Sequence, residues 1–377
     1  SLAGLSTEHG PYLVNADGKT LRMNPYSWNQ VANVIYLESP AGVGYSYSNT
    51  PTDYSKYNDD ITADDSYHFL LNFFAKYPQF QQNKFYVSGE SFAGHYVPRL
   101  AQRIHDGNAR REGTLINLNG IFVGNGCTDQ GTDANSIPPY MAQHSLIPMS
   151  QYDQGVKACQ GDFYKNQNVP ACASFLTAIW NNLNNINPYY LYDSCPVTPI
   201  AKVMARKYTG DDKIHPLFTM FRRRFSRAGL SGAESGRVGV EYDSPCVPDS
   251  ALSAYFNSDE VREAIHATRK IAAGTWSVCN DLINEYYDWS YETMLPFYNS
   301  LAQYHIMVFT GDVDMVVNSL GTQMAIDKLG RSIVSDWKSW KVPVDNGSAF
   351  VVGGFHRKYS TPDPKGSLQF ITIRGAG

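Results

Sequence analysis

Phe85-Tyr86-Val87-Ser88-Gly89-Glu90-Ser91-Phe92-Ala93-Gly94 leads into Val97, Leu100, Ala101 and Ile104, which recur at helical spacing. An apolar run, a turn rich in glycine and then a helix periodicity form the context of a nucleophile elbow of the G-x-S-x-G type. A serine at the tip of such a turn has a strained backbone, and neighbours without bulk let the helix pass close to the strand. Ser91 is therefore the candidate nucleophile. Pro98 suits the first turn of the helix, where its missing N–H would have had no partner.

Outward from that stretch, strand-like runs at 31–37, 84–87, 115–123, 305–309 and 368–373 alternate with helical patterns at 61–76 and 259–267. Alternation of this kind implies an α/β fold with a mainly parallel central sheet. From about residue 140 to 250 the pattern gives way to Asn-, Tyr- and Cys-containing segments. The expected organisation is a core built from residues 1–140 and 250–377, with a cap subdomain inserted at 141–249. Within the cap, Arg222-Arg223-Arg224 and Arg227 precede Ser231-Gly232-Ala233-Glu234-Ser235-Gly236. That junction reads either as a proteolytic processing site or as a solvated basic helix end followed by a loop.

With 377 residues, 43% apolar and 18% charged, the chain can bury a large core. Its longest apolar runs fall far short of the roughly 20 residues that a membrane span needs. A formal charge of −4 with evenly scattered Lys and Arg leaves no basic face, so nucleic acid is not an expected partner. There is no H-E-x-x-H and no cluster of His and Asp, so neither metal nor cofactor is called for. The six cysteines, Cys127, Cys159, Cys172, Cys195, Cys246 and Cys279, include no C-x-x-C pair. Disulfides in an oxidising compartment and buried free thiols both remain open on count alone. The sequon Asn346-Gly347-Ser348 marks Asn346 as a candidate glycosylation site.

A serine nucleophile needs a base and an acid that orients the base, and in α/β-hydrolases these follow in the order Ser, Asp, His. The apolar run at 304–310 feeds Gly311-Asp312-Val313-Asp314, and a carboxylate just past a strand's C-terminal end lies on the ligand-binding side of such a sheet. Asp314 is the candidate acid, with Asp312 as the fallback. One histidine, His356, follows Asp314 in the sequence, and it reads as part of a hairpin ahead of the final strand.

Seven motifs in order resemble the serine carboxypeptidases, which have the α/β-hydrolase fold. They are Thr7-Glu8-His9-Gly10-Pro11, Asn24-Pro25-Tyr26-Ser27-Trp28-Asn29, the run at 36–47, the elbow at Ser91, Val123-Gly124-Asn125-Gly126, Gly311-Asp312-Val313-Asp314 and Gly375-Ala376-Gly377. Within the family the chain looks most similar to the cathepsin A (lysosomal protective protein) branch. The resemblance implies Ser91 as nucleophile, Asp314 as triad acid and the Phe92 N–H as an oxyanion donor. It places Glu8 and Glu90 at the substrate's C-terminal carboxylate. Two glutamates and a carboxylate in one site raise one another's pKa, so an acidic optimum is expected.

The resemblance further implies a catalytic histidine directly after Gly377 and a Gly-Gly-Pro-Gly-Cys-Ser motif directly before Ser1, so that the chain looks cut at both catalytic edges. It suggests the pairings Cys159 with Cys172 and Cys195 with Cys246, and Cys279 with the upstream cysteine. The expected activity is removal of C-terminal residues from peptides in the lysosome or secretory space. Two alternatives are acyl transfer from an ester donor and a non-catalytic role protecting a lysosomal glycosidase. A homodimer is expected by analogy. Trp276, Tyr45 and Phe92 are proposed as walls of the substrate pocket.

Overall fold

The computed structural model describes residues 2–183, 186–193, 249–267, 275–344 and 347–377. Cys195, Cys246, Asn346 and the 222–236 junction lie outside the described residues. In chain order the main elements are β1 (Tyr12–Val14), β2 (Leu21–Met23), α1 (Asp59–Lys76), β3 (Phe85–Ser91), α2 (Ala93–Arg110) and β4 (Leu118–Gly126). They continue with α3 (Gln130–Gln143), α4 (Met149–Ala158), α5 (Pro170–Asn181), α6 (Asp249–Phe256) and α7 (Asp259–Ala264). The last are β5 (His305–Gly311), α8 (Ser319–Asp327), β6 (Ile333–Val344), β7 (Ala349–Tyr359) and β8 (Ser367–Ile373). Two compact units divide the chain, one of Ser1–Ser66 and Glu234–Trp289, the other of Tyr67–Ala233 and Ser290–Gly377.

The larger unit holds a six-stranded sheet in the order β3-β4-β5-β8-β7-β6. Its first four strands are parallel, and β7 and β6 run antiparallel as a long hairpin beside β8. The sheet is therefore mixed and mainly parallel, as the alternation of strands and helices implied. β4 is buried along almost its whole length, the signature of a central parallel strand covered on both faces. Val87, Ile121, Val123, Ile306, Val308 and Phe370 pack with Leu70 and Phe74 of α1 and with Val97, Ala101 and Ile104 of α2. Truncating the fully buried Ile104 to alanine in such a core costs about 2–5 kcal/mol.

In the same unit α3, α4 and α5 enclose a second core around Ile137, Met141, Leu176 and Ile179. Cys159 and Cys172 form a disulfide within it, across 13 residues, the pairing that the resemblance implied. A loop of this length stabilises by about 3 kcal/mol through the unfolded state. Cys127 is a buried free thiol whose pKa is pushed up by that burial, an inert core residue.

The smaller unit carries the β1–β2 hairpin and a core of Val14, Leu252, Phe256 and Trp276. Glu38 is the polar centre of this packing. Its carboxylate accepts from the Tyr45 N–H at 2.7 Å and from Trp276 Nε1 at 3.3 Å, and burial raises its pKa. A Cβ on Gly44 would lie 1.9 Å from Glu38 Oε2, which is why a glycine stands there. Trp276 is a buried core residue of this unit, with its N–H groups already bonded.

Two local expectations fail. The 31–37 run forms no strand, and Val31 is 91% exposed. An apolar run becomes a strand only where a neighbouring chain takes up its N–H and C=O groups. Pro98 lies inside α2 and not in its first turn, because Phe92 already has helical angles and the helix starts at Ala93.

Candidate active site

Ser91 ends β3 with φ +57°, in the left-handed region that a non-glycine residue occupies only under strain. Its neighbours impose the conformation. Ala93 stands where the elbow pattern has its second glycine, and Gly94 follows. A Cβ on Gly89 would sit 2.4 Å from the Ala93 Cβ, and one on Gly94 would sit 2.3 Å from the Cys127 carbonyl oxygen. The Ser91 carbonyl accepts from the Cys127 N–H at 3.0 Å, which ties the elbow to the end of β4. The serine is exposed, and Phe92 directly after it opens the 18-residue helix α2. The Phe92 N–H lies at the N-terminus of that helix, where the helix dipole favours negative charge. The Phe92 ring stacks on His95, with centroids 5.1 Å apart.

Asp314 is the opposite kind of residue, 4% exposed on the loop that follows β5. Its Oδ1 accepts from the Val316 N–H at 2.7 Å, and its Oδ2 from Asn125 Nδ2 at 2.9 Å and the Val317 N–H at 3.3 Å. Burial raises its pKa to about 6 against these hydrogen bonds, which favour the ionised form. An imidazolium beside it would draw the pKa back down.

Asn125 fits the site from β4, with φ +36° and its Oδ1 accepting from the Gly311 N–H at 2.9 Å. Tyr140 of α3 donates its hydroxyl to the Asp312 carbonyl at 2.7 Å. The Val313 carbonyl accepts from the Leu191 N–H, and the Met315 N–H donates to Pro188. Asp312 turns the other way: its carboxylate accepts from the Gly375 N–H at 2.7 Å, which suits a loop staple better than an orienting acid.

Register places Ser91 beside Gly126, the next residue after Asn125, whose side chain bonds Asp314. Ser91, Phe92 and Asp314 thus share the C-terminal edge of β3, β4 and β5, where open parallel sheets bind ligands. Among the described residues no histidine bonds Asp314. His356 sits within β7 opposite Lys338 and Ile371. Gly375-Ala376-Gly377 runs against the acid loop: the Val313 N–H donates to the Ala376 carbonyl at 3.0 Å, and a Cβ on Gly311 would lie 2.2 Å from that oxygen.

Glu90 is exposed beside Ser91, whereas Glu8 belongs to the smaller unit. Glu8 is exposed at the end of the Leu5–His9 turn, 4.0 Å from His9 Nε2. His9 stacks between Trp28 and Tyr36 at 4.7 and 5.4 Å, and burial lowers its pKa.

The serine carboxypeptidase family model matches residues 1–377. This chain belongs to the serine carboxypeptidase family. Serine carboxypeptidase-like 26 of Oryza sativa subsp. japonica is 34% identical over 99% of this chain and 72% of its own length. Serine carboxypeptidase-like 26 of Arabidopsis thaliana is 37% identical over 99% of this chain and 74% of its own. In fold, the chain is similar to Kex1(delta)p, a prohormone-processing carboxypeptidase from Saccharomyces cerevisiae. The TM-score is 0.72 at 20% identity, covering 99% of this chain and 75% of that one. The serine carboxypeptidase carries the α/β-hydrolase fold, and no described helix is long and apolar enough to cross a membrane.

Of its site residues, Asn125 and Tyr140 escaped the sequence reading. Asn-Gly after a strand reads as turn chemistry, and only the neighbouring strand's loop reveals what the amide holds.

Proposed function

We propose that this serine carboxypeptidase releases single C-terminal residues from peptides at acidic pH through an acyl-enzyme. Ser91 Oγ attacks the carbonyl carbon of the last peptide bond while the base takes its proton. The C–N bond then breaks and the base returns the proton to the leaving amine. Water attacks the ester carbonyl in the second half and frees Ser91. The Phe92 N–H is one donor to the oxyanion, and Asp314 holds the base in the right tautomer and stabilises its cationic form. The base is the histidine that the serine carboxypeptidase triad uses, held by Asp314. The single observation that supports the reading best is the strained, exposed Ser91 at the head of α2, one strand from a buried acid loop.

Glu8 and Glu90 bind the substrate's terminal carboxylate. In their protonated forms they donate to that anion, and as pH rises the protons leave and like charges repel it. Destination in the secretory space or lysosome is supported by the Cys159–Cys172 disulfide, since such bonds persist in oxidising compartments. The test uses the full-length protein with an N-acyl dipeptide and its C-terminal amide. Release of the last residue from the acid alone, with KM climbing from pH 4 to 7, is the expected result. Equal cleavage of the amide, or a KM that falls toward neutral pH, would sink the carboxylate reading.

A further inference from the structure

Trp340 lies on β6, which is two strands away from β8, yet its indole Nε1 donates to the Thr372 carbonyl on β8 at 3.0 Å. The reach is possible because the strand between them is stripped of side chains at that level. Trp340 pairs with Gly354, and a Cβ on Gly353 would lie 2.3 Å from Trp340 Cζ3. A Cβ on Gly354 would lie 1.8 Å from the Thr372 carbonyl oxygen and 2.8 Å from Trp340 Nε1. The indole therefore crosses a two-glycine window in β7.

The regular β7–β8 ladder ends at His356 opposite Ile371. Beyond it, β8 is held by Trp340, by the Phe355 N–H donating to Thr372 Oγ1 at 3.1 Å, and by the Arg374 N–H donating to the Gly353 carbonyl at 2.8 Å. From this clamp the chain passes straight to the acid loop. The Ile373 carbonyl accepts from the Asp312 N–H at 3.1 Å, the Gly375 N–H donates to Asp312 Oδ1, and the Ala376 carbonyl accepts from the Val313 N–H. Asp314 is the next residue of that loop.

We propose that Trp340 is a positioning residue, which by pinning the end of β8 across the glycine window sets the alignment of the Arg374–Gly377 turn with the Asp314 loop. The inference rests on the reading of Asp314 as the triad acid. A side chain that only filled space on β6 would need no N–H at the ring edge. The donor is what couples a peripheral hairpin to the catalytic edge of the sheet.

Two replacements in the full-length protein test it. Trp340→Phe keeps an aromatic ring over Gly353 and removes the donor, and the benzothiophene isostere of tryptophan at 340 removes only the N–H. Loss of one neutral hydrogen bond in the acid–base alignment predicts a two- to tenfold fall in kcat, on the order of what a single such bond contributes. KM for an N-acyl dipeptide stays unchanged, the acidic limb of the kcat–pH profile moves, and labelling of Ser91 by a fluorophosphonate slows in parallel. With the isostere, thermal stability stays within ~2 °C of the unsubstituted protein. An isostere that keeps the full kcat and pH profile in an active protein overturns the inference alone. An unsubstituted protein that neither releases a C-terminal residue nor labels at Ser91 overturns the underlying reading, and the inference with it.

Discussion

The Ser91 elbow and the Asp314 loop do their work by opposite means. Apart from the tie to Cys127 at the end of β4, the elbow is built from residues within six positions of each other. A strand ends, a serine takes a left-handed backbone, and a helix begins, with glycines only where Ala93 and Cys127 come close. The acid loop is short and buried, and almost everything that fixes it is remote in sequence: Asn125 from β4, Tyr140 from α3, the 188–191 segment and the turn after β8. The strain at the elbow is local and can be relieved by one substitution. The acid, by contrast, can be disturbed from many directions.

Ser91→Gly is the sharpest test of that contrast. Loss of the nucleophile should cost on the order of 10⁶ in kcat for the full-length enzyme, while relief of the left-handed strain should stabilise the fold by up to about 1 kcal/mol. Denaturant unfolding beside peptide hydrolysis reads both, and a destabilised variant would show that the elbow is not locally strained. Asp314→Asn comes next. The amide cannot hold the base in its tautomer, so kcat should fall by about 10⁴. Its NH₂ would also face the donors of Asn125, Val316 or Val317, so stability should drop at pH 5, the reverse of the effect at Ser91. Asn125→Ala should reduce kcat by about tenfold, since Asp314 loses one of three donors and a buried acceptor is left less satisfied. Equal activity across pH 4–7 would remove Asn125 from the site.

Smallest in its effect on turnover, and most informative about the fold beside the site, is Asp133→Asn. Asp133 is buried on α3, with Oδ2 accepting from the Thr128 and Asp129 N–H groups, and its pKa is raised to about 8 by burial and by the neighbouring Asp129. Tyr298, Lys328 and Thr128 are the other polar groups around it. With the folded pKa above the unfolded value of 3.8, its contribution to stability is fully present below about pH 4 and is lost as pH rises through about 8. The protein should therefore melt higher in acid than at neutral pH. The asparagine variant should flatten that dependence while leaving kcat unchanged, and melting curves from pH 4 to 8 decide it. A slope that survives the substitution would assign it to other groups, with buried Asp314 the first to examine.

Legibility in the sequence followed the same division. The strand near 85, the helix after the elbow and the strands near 305 and 368 were readable because periodicity and turn residues lie within a few positions of one another. The apolar run Val31–Leu37 forms no strand, because a ladder needs a partner that the segment itself cannot supply. Pro98 was misplaced by one turn for a related reason: the elbow hands its helix over at Phe92, before any apolar periodicity begins. The hairpin holding His356 was legible ahead of the final strand, but not the way Trp340 lies across Gly353 and Gly354 to reach β8.

By itself, the sequence determined the α/β class and the motif order that marks the family, and it singled out the elbow around Ser91, because these depend on local backbone chemistry and on residue types at fixed short spacings. Tertiary structure alone decided what surrounds Asp314, why Asn125 and Tyr140 stand where they do, and how Trp340 reaches β8. Those contacts join residues that the chain separates by tens to hundreds of positions, and hydrogen bonds of that kind leave no periodicity behind them.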